Sequence, residues 1–236
     1  MKVAVLGDGI LGSEICNQTG WDCISRKKSG FDAISSRLSD YLIQPEHGAV
    51  FYSKYDVVVN CIAFTDTYSD NRDMHMLVNY DFVARLSDFC QEHKIKLVHI
   101  STEYVYANNK YPPLETELPI PHESYYAKYK LLADHYVSMF CDDHLICRLL
   151  HKSNDFNPEK VWDCKTSGDK SSKISELVVS LVNQGCYGIF NVGTGDKTFK
   201  SISPDSSLTS PPIKVPTDTR MNIEKIKNVL SRSKGV

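Results

Sequence analysis

The segment Lys2-Val3-Ala4-Val5-Leu6-Gly7-Asp8-Gly9-Ile10-Leu11-Gly12 decides the fold of this 236-residue chain. Its first half, residues 2–7, is a short apolar run that is typical of a buried strand. Three glycines follow, and residues 13–19 then continue with a helical pattern. A strand, a glycine turn and a helix in this order predict the first unit of an α/β protein with a parallel sheet.

Each glycine of this turn has a predicted role in holding a dinucleotide. Gly7 permits the tight turn, Gly9 leaves room for a pyrophosphate, and Gly12 lets the helix pack close to the strand. The helix N-terminus, at Ile10 and Leu11, then faces the phosphates with free N–H groups and the positive end of its dipole. The alternative is a glycine turn that holds no ligand.

A basic cluster follows the second predicted strand, residues 21–25. An NAD site usually has Asp or Glu at this point, to bond the ribose 2′-hydroxyl. Ser25, Arg26 and Lys27 instead suit a 2′-phosphate, so NADPH is favoured over NADH as the cofactor. The alternative is a solvated basic turn. Asp32 is a candidate acceptor for the adenine amino group, although a role in a turn explains it equally well.

Strands and helices alternate through the first 150 residues, after a segment at 34–54 that suits a helix and a loop. Further strands are predicted at 55–60, 96–101 and 144–150, and long helices at 70–93 and 123–141. Cys61, Ile62 and Ala63 follow a strand, so we expect them beside the cofactor, because ligands lie at the carboxyl ends of parallel strands.

This alternation predicts an α/β, Rossmann-like, doubly wound parallel sheet over residues 1–150. Residues 151–236 are predicted to form a small, reduced C-terminal substrate lobe, from which a late strand and a helix return to the main domain. Within it, residues 200–219 are rich in Ser, Pro and Thr and are expected to form an extended loop.

Three side chains near the middle of the chain suggest a reaction. The strand at 96–101 delivers the Thr102 hydroxyl at its carboxyl end, and Tyr126 and Lys130 lie four residues apart on one helix face. These groups are the ones needed to protonate a carbonyl oxygen while hydride arrives from a nicotinamide. The ammonium is expected to lower the pKa of the phenol. The alternative is that Tyr126 and Lys130 are helix surface residues.

The motifs that carry these residues resemble the extended short-chain dehydrogenase/reductase superfamily, and more narrowly its dTDP-4-dehydrorhamnose reductases. The matching motifs are Asn60-Cys61-Ile62-Ala63, Val78-Asn79, Ile100-Ser101-Thr102-Glu103-Tyr104-Val105-Tyr106 and Tyr126-x-x-x-Lys130. The resemblance implies that Tyr126 is the proton donor, that Lys130 is its partner and bonds the nicotinamide ribose, and that Thr102 orients the substrate carbonyl.

The chain departs from the family pattern in several places. Its glycines are one residue closer together than the usual Gly-x-x-Gly-x-x-Gly, and Ala127 stands where relatives often have Gly. Pro121 lies one residue further from Tyr126 than expected, so Tyr125 is a rival by position, but only Tyr126 has a Lys four residues later. The segment after Arg148 is short for the family.

The resemblance implies an NADPH-dependent reductase of a nucleotide-linked 4-keto-6-deoxysugar. One alternative is a nucleotide-sugar epimerase or dehydratase that keeps NAD(P) tightly bound and needs a further acid/base residue, for which Glu103 is the candidate. Another is a non-catalytic NADP-binding regulatory subunit, which the reduced lobe suggests and the intact Thr102, Tyr126 and Lys130 argue against.

Composition limits the classes of binding partner and the cellular compartment that we expect for this chain. The formal net charge of −2 favours neither nucleic acid nor an anionic membrane surface, and no segment suits a membrane span. The eight cysteines include no Cys-x-x-Cys pair and no metal-ligand spacing occurs, so we expect free thiols in a reducing cytoplasm and no metal. A homodimer through helices 70–93 and 123–141 is expected, because the second helix carries surplus apolar side chains: Tyr125, Tyr129, Leu132, Tyr136 and Phe140.

Overall fold

The computed structural model describes residues 1–45, 51–110 and 112–232. Its strands are β1 Val3–Leu6, β2 Asp22–Ile24, β3 Ile43–Pro45, β4 Phe51–Ser53, β5 Val57–Asn60, β6 Lys96–Ile100, β7 His144–Arg148, β8 His151–Lys152, β9 Lys160–Trp162, β10 Lys165–Thr166, β11 Asp169–Lys170, β12 Gly188–Asn191, β13 Lys197–Thr198 and β14 Ser207–Thr209. Its α-helices are α1 Ile10–Thr19, α2 Arg26–Ser29, α3 Leu38–Leu42, α4 Arg72–Met76, α5 Phe82–His93, α6 Tyr125–Phe140, α7 Ser171–Asn183, α8 Phe199–Ile202 and α9 Glu224–Arg232.

Six of these strands form one parallel sheet, in the order β12-β7-β6-β5-β1-β2. After β2 the chain crosses to the other side of β1, so the strand order reverses between β1 and β5. Loops that leave the carboxyl ends of two such strands diverge and open a crevice for ligands. The predicted α/β, Rossmann-like parallel sheet is confirmed.

Both faces of the sheet are covered, which explains why β1 is apolar at every position. Val3 and Val5 pack with the face that carries α1 and α7, whereas Ala4 and Leu6 pack with the face that carries α5 and α6. Successive side chains of a strand point to opposite faces, so β1 supplies both halves of the core. In the part of the chain that is described, no helix is long and apolar enough to cross a membrane.

Three segments differ in detail from their predicted form. The segment at 34–54 contains α3 and an antiparallel pair, β3 and β4, while its residues 46–50 lie outside the described ranges. The helix predicted over 70–93 runs from Arg72 to His93 but contains a π-helical turn at Leu77–Asp81. The predicted loop at 200–219 contains α8 and β14, because β14 pairs with β9.

Beyond residue 150, some segments pair with one another outside the central sheet and others join it. Its short strands pair with one another outside the central sheet, as β8 with β11, β9 with β14 and β10 with β13. They enclose a separate apolar cluster of Val161, Cys164, Phe199, Ile202 and Val215. By contrast, β12 joins the edge of the central sheet beside β7, and Ile226 of α9 packs into the main core.

Glu103 ties these later segments to the carboxyl edge of the sheet. Its fully buried carboxylate accepts hydrogen bonds from the hydroxyls of Thr166, at 2.8 Å, and of Thr219. Burial raises the pKa of Glu103 to about 7, although the two hydroxyls and the Ser167 N–H act in the opposite direction. The residue therefore titrates near neutral pH while it holds two remote segments together.

We predict that Glu103 makes folding stability fall as pH rises. Its folded-state pKa is raised, so its contribution is fully present below the unfolded pKa of about 4.5 and is lost as pH rises through about 7. Chemical denaturation of the parent and of Glu103→Gln between pH 5 and 9 measures this. The parent should lose on the order of 3 kcal/mol relative to the variant over that range.

Glu92→Gln is the matched control, because it neutralises an exposed carboxylate and should keep the parent's pH dependence. Parallel stability curves for the parent and Glu103→Gln would contradict the prediction.

Candidate active site

The glycine turn after β1 has the shape that a bound pyrophosphate needs. Gly7 has a φ of +98°, and Gly9 precedes α1 without a side-chain cap, which leaves the first N–H groups of the helix free. A Cβ built on Gly9 meets no atom within 4 Å, whereas one on Gly12 would lie 2.1 Å from the Gly7 carbonyl oxygen. Gly9 therefore borders open space, and Gly12 is required for the contact between α1 and β1.

The two residues between these glycines point in opposite directions. The Ile10 side chain is exposed at the start of α1, and the Leu11 side chain is buried in the core. The Leu11 side chain is thus unavailable to a ligand, and the backbone N–H groups of both residues lie in the uncapped first turn of α1.

The predicted 2′-phosphate cluster lies next to this turn. A cavity of about 530 Å³ is lined by Asp8, Ser13, Arg26, Lys27 and Lys28. Three cations around one cavity suit a phosphate dianion, and a helix N-terminus beside it adds to the positive field. These residues therefore fit the 2′-phosphate and pyrophosphate of a dinucleotide.

Ser25 and Asp32 have local partners in this region. Ser25 is buried, and its hydroxyl oxygen accepts from the Lys28 N–H at 3.1 Å, as the cap of α2. The Asp32 carboxylate accepts from the N–H groups of Ile34 and Ser35 and pairs with Arg26. Those backbone N–H groups lower the pKa of Asp32. Asp32 thus organises the turn and orients Arg26, and the adenine contact stays a prediction.

The loop after β5 lies against the glycine turn. The Cys61 N–H donates to the Leu6 carbonyl at 2.9 Å, and a Cβ on Gly7 would touch Ile62. Cys61, Ile62 and Ala63 are all half-buried. The sequence prediction that this loop borders the cofactor crevice agrees with its position between β1 and β5.

Asn79 latches the same loop from the π-helical turn. Its Oδ1 accepts from the Phe64 N–H at 2.8 Å, and its Nδ2 donates to the Phe64 carbonyl at 3.0 Å. A buried Asn needs a partner, and the sequence suggests a polar brace from Asn79 to the loop of the next strand. The partner is instead Phe64, in the loop after the preceding strand β5. The partner could not be found from helical periodicity, because the π-helical turn shifts the register.

Thr102 and Tyr126 come together at the carboxyl end of β6. Thr102 is buried and begins the 3₁₀ turn Glu103–Tyr106, and Ser124 caps α6 two residues before Tyr126. The Thr102 hydroxyl lies close enough to the Tyr126 phenol to act against the rise in its pKa. Tyr125, the rival by position, is exposed and stacks on Tyr129 instead.

The pKa of Tyr126 shifts in the direction opposite to the one expected from sequence. Burial raises the pKa of the phenol, and the Thr102 hydroxyl offsets that effect only in part. The expected lowering by the Lys130 ammonium was wrong for the chain without ligand, because Lys130 is directed elsewhere. The phenol therefore stays protonated at neutral pH.

Lys130 is buried beneath the phenol, one helical turn along α6. Its Nζ donates to the Ile100 carbonyl at 2.6 Å and lies 3.2 Å from Nε2 of His99. Burial lowers the pKa of Lys130 to about 8, and the charge of Asp134 acts in the opposite direction. No pattern in the sequence indicated that His99 and Asp134 would lie near this amine.

An aromatic cluster that the sequence analysis missed surrounds the phenol. The ring centroids of His75 and Tyr104 lie 6.2 and 6.4 Å from that of Tyr126. The Tyr104 hydroxyl lies 2.8 Å from the hydroxyl of Tyr68, and both rings contact His122. These residues come from two separate connections, β5 to α5 and β6 to α6, so no local pattern could have revealed the cluster.

Comparisons with known proteins agree with this arrangement. A family model described as the RmlD substrate binding domain matches residues 1–151. A probable low-salt glycan biosynthesis reductase of Haloferax volcanii is 24% identical over 188 residues, which is 65% of this chain. That match spans 62% of the relative's own length.

Solved structures share the fold at low sequence identity. A hypothetical dTDP-4-dehydrorhamnose reductase from Sulfolobus tokodaii has a TM-score of 0.81 and 20% identity, covering 98% of this chain and 95% of that one. The dTDP-4-dehydrorhamnose reductase from Bacillus anthracis, in complex with NADP, has a TM-score of 0.75 and 17% identity, covering 97% and 93%. Other structures with this fold are complexes with NAD, so the fold alone does not distinguish NADP from NAD as the cofactor.

The family match covers the glycine turn and also Thr102, Tyr126 and Lys130. The chain is therefore classified by its match to the family model and not by its fold alone. This chain belongs to the family of the RmlD substrate binding domain.

Proposed function

We propose that the chain is an NADPH-dependent reductase of a nucleotide-linked 4-keto-6-deoxysugar. The observation that carries the proposal is the protonated Tyr126 phenol, held against the Thr102 hydroxyl with Lys130 one turn further along α6. These groups lie at the carboxyl edge of the sheet, where the Cys61 loop meets the glycine turn. The family assignment and the relative's name support the same class of reaction.

Each candidate site residue has a separate role in the proposed reaction. NADPH supplies hydride to the keto carbon when it is bound. Tyr126 donates its phenolic proton to the keto oxygen, and Thr102 donates a hydrogen bond that holds that oxygen in place. The Lys130 ammonium would hold the nicotinamide ribose. Backbone N–H groups beside Gly9 hold the pyrophosphate, and Arg26 and Lys27 hold the 2′-phosphate.

The raised pKa of Tyr126 favours reduction over the alternatives that begin with oxidation. A reductase needs a phenol that is protonated before transfer, whereas an epimerase first needs a phenolate that removes a proton from the sugar. Burial of Tyr126 favours the first state. Glu103, the extra acid/base residue proposed for an epimerase or dehydratase, is engaged by Thr166 and Thr219. The intact Thr102, Tyr126 and Lys130 argue against a regulatory subunit.

We assign residues 1–150 to cofactor binding and residues 151–236 to a small substrate lobe. The separate apolar cluster around Val161 and Phe199 supports a distinct lobe, while β12 and α9 return to the main core. The nucleotide sugar is expected between the lobe and the aromatic cluster around Tyr126.

The catalytic prediction concerns a single hydroxyl. Tyr126→Phe should leave fold and NADPH binding intact and lower turnover by roughly 10²- to 10⁴-fold, the usual effect of losing a positioned general acid. Turnover is measured from NADPH absorbance with a dTDP-linked 4-keto-6-deoxysugar. Lys130→Met should lose activity and also weaken cofactor binding. Thr102→Val should lower turnover by a smaller factor than either of these substitutions.

Tyr125→Phe is the matched control, since it removes an exposed hydroxyl one residue away, and its effect should be mild. The proposal fails if Tyr125→Phe abolishes turnover while Tyr126→Phe does not.

The cofactor prediction concerns Arg26, whose side chain is 78% exposed beside the basic cavity and pairs with Asp32. Arg26→Ala should weaken NADPH binding by about 1.5–3 kcal/mol and leave NADH nearly unchanged, because only NADPH carries the 2′-phosphate. Fluorescence titration of both cofactors measures this. Lys173→Ala, an exposed cation on α7, is the control. Equal affinities of the parent for NADPH and NADH would contradict the proposal.

We also propose a homodimer through helices α5 and α6. Leu132, Met139 and Phe140 of α6 are exposed. At the surface, the Tyr129 hydroxyl accepts a hydrogen bond from Arg72, and the Tyr136 hydroxyl donates one to Asp88. Light scattering should give twice the chain mass for the parent, and Leu132→Glu should shift it toward the monomer because it places a charge in the apolar contact. A monomer mass for the parent at all concentrations would count against the dimer.

A further inference from the structure

His99 is a buried imidazole whose surroundings reveal which nitrogen carries its proton. It lies on β6, fully buried, and pairs in register with Asn60 of β5. The Asn60 Oδ1 accepts from the Ile62 N–H at 3.0 Å, so the amide orientation is set. Its Nδ2, which can only donate, therefore faces Nδ1 of His99 at 3.4 Å. Nδ1 must accept, and the proton of the neutral ring lies on Nε2.

Burial keeps the ring neutral. It lowers the pKa of His99 well below the ordinary value, and the charge of Lys130 acts in the same direction. A neutral ring with its acceptor nitrogen already in use has one remaining group, the Nε2–H, to direct at its neighbours.

The Nε2–H faces two groups of opposite charge. Nζ of Lys130 lies at 3.2 Å and Oδ1 of Asp134 at 3.8 Å. The other oxygen of Asp134 accepts from Nε of Arg148 at 2.9 Å, whereas Oδ1 is buried and has no hydrogen-bond partner within the described residues. An imidazole N–H opposes an ammonium and favours a carboxylate or a neutral amine. His99 thus separates Lys130 from the anion that would otherwise pair with it.

The other groups around Lys130 do not replace that missing ion pair. The Ile100 carbonyl accepts one bond from Nζ, and burial raises the pKa of the Cys61 thiol far enough to keep it neutral. On the same helix, the Tyr126 phenol is also neutral. Within the described residues, the formal charge that acts on the amine is that of Asp134, which already pairs with Arg148.

We propose that His99 is a positioning residue for Lys130, whose Nε2–H holds Asp134 apart from the amine and so lets Lys130 lose and regain its proton easily. This rests on the proposed function only for the catalytic duty of Lys130. A lysine in a full ion pair would stay charged throughout the working pH range, whereas Lys130 changes charge close to it.

The test reads the two protonation states directly, without cofactor or substrate. Nitrogen NMR of the parent labelled in histidine should show His99 protonated on Nε2. Carbon NMR of labelled lysine, with the Lys130 signal assigned by its loss in Lys130→Arg, should give a pKa of about 8. In His99→Phe that pKa should rise by at least one unit, because the opposing N–H is gone and Asp134 can approach. The alkaline limb of the pH profile for turnover should move the same way.

His135→Phe, an exposed histidine on α6, is the control and should leave the Lys130 titration unchanged. The proposal is overturned if the His99 proton lies on Nδ1, or if His99→Phe leaves the Lys130 pKa unchanged or lowers it. Should His99→Phe fail to fold, the nitrogen spectrum of the parent still decides. Because the two NMR measurements need no turnover, their failure is distinct from failure of the reductase assignment.

Discussion

The burial of a single amine, that of Lys130, is the constraint around which the central residues are arranged. A charged group removed from water loses several kcal/mol of solvation unless the protein replaces it. Here the replacement is incomplete, since Lys130 has the Ile100 carbonyl, a neutral imidazole and a carboxylate shared with Arg148. The strand end, the neighbouring strand and α6 must all keep their places for that arrangement to hold.

The arrangement also accounts for the buried residues behind the site. Arg148 pairs with Asp134 and donates to the Tyr106 hydroxyl, which connects β7, α6 and the turn after β6. Two cations and one carboxylate leave the region with a net positive charge when Lys130 is protonated. Such a field favours anionic groups at the carboxyl edge of the sheet.

The sequence predicted the parts that depend on neighbours in the chain. The strand, glycine turn and helix at residues 2–19 follow from local pattern, and Tyr126 and Lys130 share a face because they lie four residues apart. Thr102 was recognised because it ends a strand. The open space at Gly9 and the close contact at Gly12 agree with the roles predicted for them.

The parts that escaped prediction depend on distant residues. The partners of Glu103 lie 63 and 116 positions further along the chain, and no periodicity connects them. The sequence places His99 on a buried strand. The side chains that it contacts, however, depend on the packing of α6 against the sheet. The expected lowering of the Tyr126 pKa was wrong for the same reason, because proximity along a helix does not say where a flexible lysine is directed.

The π-helical turn at Leu77–Asp81 has a consequence for how this protein tolerates changes in chain length. A π-helical turn contains one residue more than the α-helical turn it replaces. Deleting one residue there would restore a regular helix and rotate everything before it by about 100° relative to α5. Asn79 would then turn away from Phe64, and the loop beside the glycine turn would lose its latch. The helix is thus a place where a deletion of one residue, harmless to its own hydrogen bonding, would be selected against through the loop it holds.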